Sequence, residues 1–253
     1  MAVHDSQHVR RNMTASDNVA LVDVTSAYGV LGLMGPRSRS ILQTLAEDDL
    51  ARDAFPHRTV REVMVAGAPV RVMRLSFVGE LGFELHVPTE YMLTVFDALH
   101  SEGREQGLVN AGYRAIDALR LEKQFCSWGA EIGPDDTPLE AGLSFAVSFG
   151  KADFIGREAL VNLQEKPLGK RLASFTVEGD TPLLGGETIY RDDQVCGWIT
   201  SGGYGHTIGQ PLGLGYVRNA AGVDKDFLLA GRYALDVAGT RLPAKISLAA
   251  LYD

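Results

Sequence analysis

The sequence predicts an α+β chain, with an antiparallel mixed layer in its first half and a small all-β barrel or sandwich in its second. Three observations lead there. Up to about residue 150, short apolar strand-like runs and amphipathic helices follow one another without the regular strand–helix alternation of a parallel sheet. The composition then shifts near Gly150. Beyond the linker-like Lys166-Pro167-Leu168-Gly169, glycine-rich strand-like runs recur at short intervals with no helical period. The expected domains are 1–165 and 166–253.

Each element has its own signal. Two apolar runs, 19–24 and 28–34, read as strands. Gly35-Pro36 opens a helix with Ile41, Leu42 and Leu45 on one apolar face. Residues 59–67 and 70–78 read as a hairpin about a Gly-Ala-Pro turn. On its return strand Val70, Val72, Arg74 and Ser76 alternate with Arg71, Met73, Leu75 and Phe77. After the turn Gly79-Glu80-Leu81-Gly82 comes a third strand, 83–88, which Pro88 ends. Thr89 is placed to cap a helix with Met92, Val95, Phe96 and Leu99 along one side. A helix over about 112–123 is expected to turn Ala115, Ile116 and Leu119 inward, and residues 153–166 give one more short helix. In the second half the runs 171–177, 187–191, 196–200, 212–218, 226–230, 232–237 and 241–251 all read as strands.

Length, charge and cysteines narrow the function classes. A chain of 253 residues is long enough to bury roughly 70% of its unfolded surface without covalent staples. The formal net charge of -8 argues against a general electrostatic grip on nucleic acid or an anionic membrane. Two cysteines, Cys126 and Cys196, make neither a disulfide framework nor a four-thiolate zinc site. No apolar run reaches transmembrane length, and the first residues lack the apolar core of a signal peptide. A soluble protein of a reducing compartment, the cytoplasm, is expected.

General motifs declare no enzyme. There is no phosphate-binding GxxxxGK[ST], and the glycine-rich stretch 201–209 lacks dinucleotide spacing and reads as a turn. The six histidines show no metal-ligand spacing, and His4 and His8 read as solvated. Three local features remain. Glu80 and Glu84 flank the start of a strand beside Phe83, where a carboxylate suits the amino and ring N–H groups of a heterocycle. The alternative is a solvated edge-strand glutamate. Asp117, Arg120 and Glu122 form a charged helix face of ordinary spaced pairs. Asp135, Asp136 and Glu140 sit in an acidic loop and read as a turn cap and solvated side chains.

The ordered blocks GVLGLMGPRSR, SFVGELGFELHVP, GLVNAGYRAIDALRLEK, DDTPLEAGLSFAV, DFIGREAL and GWITSGGYGHTIGQPLGLGYV change this picture. Together they resemble the aminomethyltransferase (T-protein) family of the glycine cleavage system. NAGYRAIDALRLEK makes the chain more similar to the C-terminal folate-binding module of sarcosine and dimethylglycine dehydrogenases. The resemblance runs from about Val19 to the C-terminus. It implies an antiparallel α+β folate-binding domain followed by a C-terminal β-barrel. The implied chemistry is transfer of a one-carbon unit to N5 and N10 of tetrahydrofolate, giving 5,10-methylenetetrahydrofolate. The alternative is a folate-binding or regulatory module without catalysis.

Position by position, Glu84 matches the family glutamate that binds the pterin. Tyr113 lies in the matching helix, and Trp198 and Tyr204 flank the matching barrel turn, so all three are expected at the folate. Arg120 and Glu122 are expected to be scaffold. Two arginines of the free T-protein are replaced here by Ile116 and Ala238, which argues against free T-protein activity and its lipoyl-protein partner. The resemblance also implies an N-terminally truncated module. The family's catalytic aspartate precedes the matched region, neither Asp17 nor Asp23 matches it, and no catalytic residue is assigned. The implied partners are folate, a methylated glycine-type amine, and a flavoprotein domain or subunit that carries FAD. Self-association into a homo-oligomer is the further expectation, with neither nucleic acid nor a membrane as partner.

Overall fold

A computed structural model describes residues 2–252, and by its contacts the chain forms two compact units. One comprises residues up to Ser76 with Glu80–Val109; the other comprises Phe77–Gly79 with the residues from Asn110 onward. Among the described residues no helix is long and apolar enough to cross a membrane.

In the first unit, helix α1 (Ala2–Asn12) buries no side chain, and exposed His4 lies 3.5 Å from Asp5. The strand expected over 19–24 does not form. Val19, Leu21, Val22 and Val24 are exposed in an irregular segment, because no neighbouring strand pairs its backbone groups. β1 (Tyr28–Met34) and α2 (Ser38–Leu45) follow as expected, with Ile41 and Leu42 buried. β2 (Val60–Val65) and β3 (Ala68–Met73) make the hairpin. Its turn is Ala66-Gly67, both at positive φ, and not Gly-Ala-Pro. Two consecutive left-handed residues match the twist of paired strands, which leaves Ala68 and Pro69 inside β3.

β4 (Gly82–Pro88) completes an antiparallel sheet of order β1-β4-β3-β2. Phe83, Leu85 and Val87 alternate onto the core face with Val70 and Val72. α3 (Met92–Gly103) closes that core with Val95 and Leu99. Thr89 does not cap it. A single 3-10 turn intervenes, and the Thr89 hydroxyl donates to the Ser26 carbonyl at 2.9 Å.

The second unit holds α4 (Tyr113–Glu122), α5 (Arg157–Gln164) and a closed antiparallel barrel. Its strands are β5 (Lys170–Val177), β6 (Thr188–Arg191), β7 (Gln194–Gly205), β8 (Gln210–Arg218), β9 (Tyr233–Val237) and β10 (Thr240–Ser247). Closure runs β10-β5-β8-β7-β6-β9. Residues 226–230, expected as a strand, lie in α6 (Lys225–Ala230), whose Asp224 cap accepts from the Phe227 N–H at 2.7 Å. Ser201–Gly205, expected in a turn, extend β7, so the turn begins only at His206.

Ala173, Phe175, Ile199 and Val217 fill the barrel, while Leu172, Leu212, Leu214 and Tyr216 pack outside it with Leu121 of α4. β5 and β8 are therefore covered on both faces, which explains their continuous apolar runs. It also corrects the helix face expected for α4. Arg120, Leu121 and Glu122 are its buried residues, Ala115 is exposed, and Ile116 and Leu119 are half-buried.

Candidate functional site

Glu84 lies on β4, an interior strand with Gly32 of β1 on one side and Met73 of β3 on the other. That excludes the edge-strand alternative. The alternation that sends Phe83 and Leu85 into the core sends Glu84 and His86 to the opposite face. Gly32 adds no side chain beside the carboxylate. Glu84 is 29% exposed, and one oxygen stands 3.8 Å from His86 Nε2. That nitrogen is buried without a hydrogen-bond partner. No protein donor reaches the Glu84 carboxylate among the described residues, so its acceptor positions face outward from the sheet. Glu80 lies outside β4, exposed in the preceding turn.

On the same face Arg71 pairs with Glu62 at 3.3 Å and lies over the Tyr28 ring at 5.6 Å. Arg71 lies opposite His86 and Tyr28 opposite Pro88, farther along the same face. A carboxylate so placed can accept from the hydrogen-bond donors on the edge of a planar heterocycle.

The other three expected site residues belong to the barrel unit. Tyr113, the first residue of α4, is 86% exposed. Trp198 on β7 is about half exposed, and the Arg218 guanidinium lies 4.5 Å from its ring centroid. Tyr204 meets His206 edge-on at 5.3 Å. Trp198 lies opposite Tyr216 across β7 and β8, six residues before Tyr204.

The charged residues of α4 are framework. Glu122 is almost wholly buried, and its carboxylate accepts from Thr207 N at 2.8 Å, Ile208 N at 3.0 Å and the Thr207 hydroxyl at 2.9 Å. It thereby anchors the turn that follows Tyr204. Arg120 bonds the Phe125 carbonyl and, at 2.8 Å, the buried carboxylate of Glu131. Glu131 also accepts from Ser127 N and the Thr200 hydroxyl. Arg120 and Glu122 are thus the scaffold expected of them, and Asp117 makes the spaced pair with Arg120 at 3.4 Å. Both scaffold residues are buried rather than part of a surface charge face.

Sequence reasoning missed Glu131, a lone acid between glycine turns that belongs to no short motif. The acidic loop is also less solvated than expected. Asp136 binds Lys170 at 2.6 Å, and Glu140 accepts from Thr137 through both N–H and hydroxyl. Of the barrel arginines, Arg241 is 3.8 Å from Asp193 and stacks on Tyr190. Neither thiol is activated, since burial pushes both Cys126 and Cys196 up to about 11. The described residues contain no His, Cys, Asp and Glu cluster able to hold a metal ion.

Comparison with known proteins agrees with this architecture. The family model described as GCVT N-terminal domain matches residues 1–151, and that described as glycine cleavage T-protein C-terminal barrel domain matches 170–253. Mouse mitochondrial sarcosine dehydrogenase is 41% identical across 100% of this chain, which spans 28% of that protein. The mouse mitochondrial pyruvate dehydrogenase phosphatase regulatory subunit is 38% identical across 97% of this chain and 30% of its own length. The crystal structure of glycine cleavage system aminomethyltransferase T from Bartonella henselae superposes with a TM-score of 0.70 at 26% identity. It covers 85% of this chain and 57% of that one. With its antiparallel sheet, its closed six-stranded barrel and family matches to both parts, the chain belongs to the glycine cleavage T-protein (aminomethyltransferase) family.

Proposed function

We propose that this chain is a tetrahydrofolate-dependent one-carbon transfer module, serving the oxidation of sarcosine or dimethylglycine and giving 5,10-methylenetetrahydrofolate. Family membership supports folate-dependent one-carbon transfer at the level of the family. Glu84 carries the reading to this chain: a part-buried carboxylate on an interior strand that accepts no bond among the described residues. The pyrimidine edge of a pterin presents an amino group and a ring N–H side by side. A carboxylate takes such a pair with two parallel charge-assisted bonds.

Glu84 binds and orients the ring in this reading, and the buried His86 Nε2 stands 3.8 Å behind its carboxylate. Tyr113, Trp198 and Tyr204 belong to the barrel unit, where Tyr113 and Trp198 expose their rings and Tyr204 meets His206 edge-on. When bound, tetrahydrofolate supplies the nitrogens that accept the one-carbon unit. The protein contributes orientation and exclusion of water. The donor is a methylated glycine-type amine, and FAD belongs to a separate flavoprotein domain or subunit.

A titration comparing tetrahydrofolate with its 2-desamino analogue tests the Glu84 contact. The analogue is expected to bind roughly a hundredfold more weakly, because it leaves a part-buried carboxylate, covered by the bound ring, without one of its donors. Equal binding contradicts the reading.

A non-catalytic regulatory module is the second reading. It is favoured by the 38% identity to a protein named as a phosphatase regulatory subunit. Mixing the chain with a sarcosine-oxidising flavoenzyme separates the two. Catalysis raises 5,10-methylenetetrahydrofolate output above the rate with free formaldehyde, whereas a regulatory module leaves that rate unchanged.

A further inference from the structure

Three arginines of the sheet unit converge on one groove without a matching set of carboxylates. Arg39 stands on α2, Arg52 and His57 lie in the loop after it, and Arg74 directly follows β3. With Asp53, Pro56 and Leu81 they line a surface groove of about 620 Å³. Arg74 is held in place by its Nη1 bonds to the carbonyls of Arg52 at 3.2 Å and Phe55 at 2.5 Å. Its Nε, and that of Arg39, are buried without an acceptor.

Among the described residues no carboxylate forms an ion pair within 4.0 Å of any of the three guanidiniums, Asp53 included. Loss of hydration, with repulsion from Arg39 and Arg52, holds the Arg74 guanidinium below its ordinary pKa. Gathering like charges in this way costs stability unless an anion joins them. The chain has 32 acidic residues, so the missing counter-charge does not reflect a shortage of carboxylates.

We propose that this groove binds a small multivalent oxyanion, a phosphate group or a di- or tricarboxylate, through Arg39, Arg52 and Arg74. Guanidinium groups offer paired N–H donors to both kinds of oxyanion, and an anion in the groove offsets the repulsion among the three. His57 adds a fourth nitrogen-bearing side chain to the rim. The site stands independently of the folate reading, since Glu84 does not line the groove.

The test uses the whole chain with inorganic phosphate and with tricarballylate as probes, followed by calorimetry and thermal melting at an ionic strength held constant with sodium chloride. Variants Arg39→Gln and Arg52→Gln remove donors that hold no main-chain carbonyl, so the fold is retained. Arg10→Gln, on the exposed α1, makes the same charge change elsewhere. Saturable one-site binding of at least one probe is expected, weakened about tenfold or more by each groove variant and unchanged by Arg10→Gln. Preference for phosphate or for tricarballylate then identifies which oxyanion the groove serves. Without any probe, Arg52→Gln is expected to raise the melting temperature by relieving repulsion. Absence of binding by either probe, or equal binding in Arg52→Gln and Arg10→Gln, overturns the proposal.

Discussion

Glu131 is wholly buried, and its carboxylate meets Arg120 Nη1 at 2.8 Å with Arg120 itself only 3% exposed. Glu131 Oε2 also accepts from Ser127 N, its Oε1 from the Thr200 hydroxyl, and its main-chain carbonyl from the Tyr216 hydroxyl. The Glu131 side chain thus fastens α4, the loop after it and β7, while its main-chain carbonyl holds β8. Removing one partner leaves an uncompensated buried charge, whereas removing both does not. Glu131→Gln is expected to lower the unfolding free energy by about 3 kcal/mol or more, measured by urea denaturation. Adding Arg120→Met is expected to recover part of the loss. A single-variant effect within experimental error contradicts the assignment.

Glu122 makes a second, separable prediction. Its carboxylate accepts three bonds from Thr207 and Ile208. Glu122→Ala orphans two backbone N–H groups and is expected to cost about 2–4 kcal/mol. Amide exchange at Thr207 and Ile208 is expected to accelerate more than exchange across β5. Uniform acceleration throughout the barrel contradicts a local clamp.

Gly197 explains part of the glycine density of β7. A Cβ there would lie 1.8 Å from the Tyr216 carbonyl oxygen across the strand pair. Main chain cannot yield as a flexible side chain does, so Gly197→Ala is expected to destabilise the barrel by several kcal/mol, on the order of the largest single-residue effects. A melting temperature within a degree or so of the parent contradicts that packing.

The thiols predict both reactivity and alkaline behaviour. Cys126 and Cys196 are pushed up to about 11 by burial, and Tyr233 up to about 12. Each folded-state value lies above the unfolded one, so the folded chain holds these protons more tightly. That stability is fully present below about pH 9. It is lost as pH rises through 11 for the thiols and 12 for the phenol. Iodoacetamide at pH 8 is expected to label the native thiols far more slowly than the urea-unfolded ones. Equal rates would show that the thiols are not buried.

Much of this fold was legible wherever a local pattern met a partner. Val70 and Val72 alternate with solvent-facing residues because β3 has a single core face, and the alternation is visible in the chain. Residues 19–24 show the converse, since strand character without a pairing strand produces no strand. Asp226–Ala230 read as a strand because five residues are too few to display a helical period, while the Asp224 cap settles the matter through one side-chain bond. Leu121 was hidden because its partners, Leu172, Leu212 and Leu214, lie many residues away on the barrel. The Arg120–Glu131 pair, eleven residues apart across an irregular loop, matches no helical or strand spacing and was hidden for that reason. Glu84 was legible from its place at a strand start beside Phe83 and then through family resemblance, while its interior strand position required the sheet order.

The most direct test of the folate reading is calorimetric titration of the chain with tetrahydrofolate under reducing conditions, repeated with Glu84→Gln. The substitution keeps the shape but replaces one acceptor oxygen with an N–H₂ donor and removes the charge. One-to-one binding weakened at least about tenfold in Glu84→Gln, with the melting temperature unchanged, is the expected result. Undiminished binding in Glu84→Gln, or no binding by a well-folded parent chain, would contradict it.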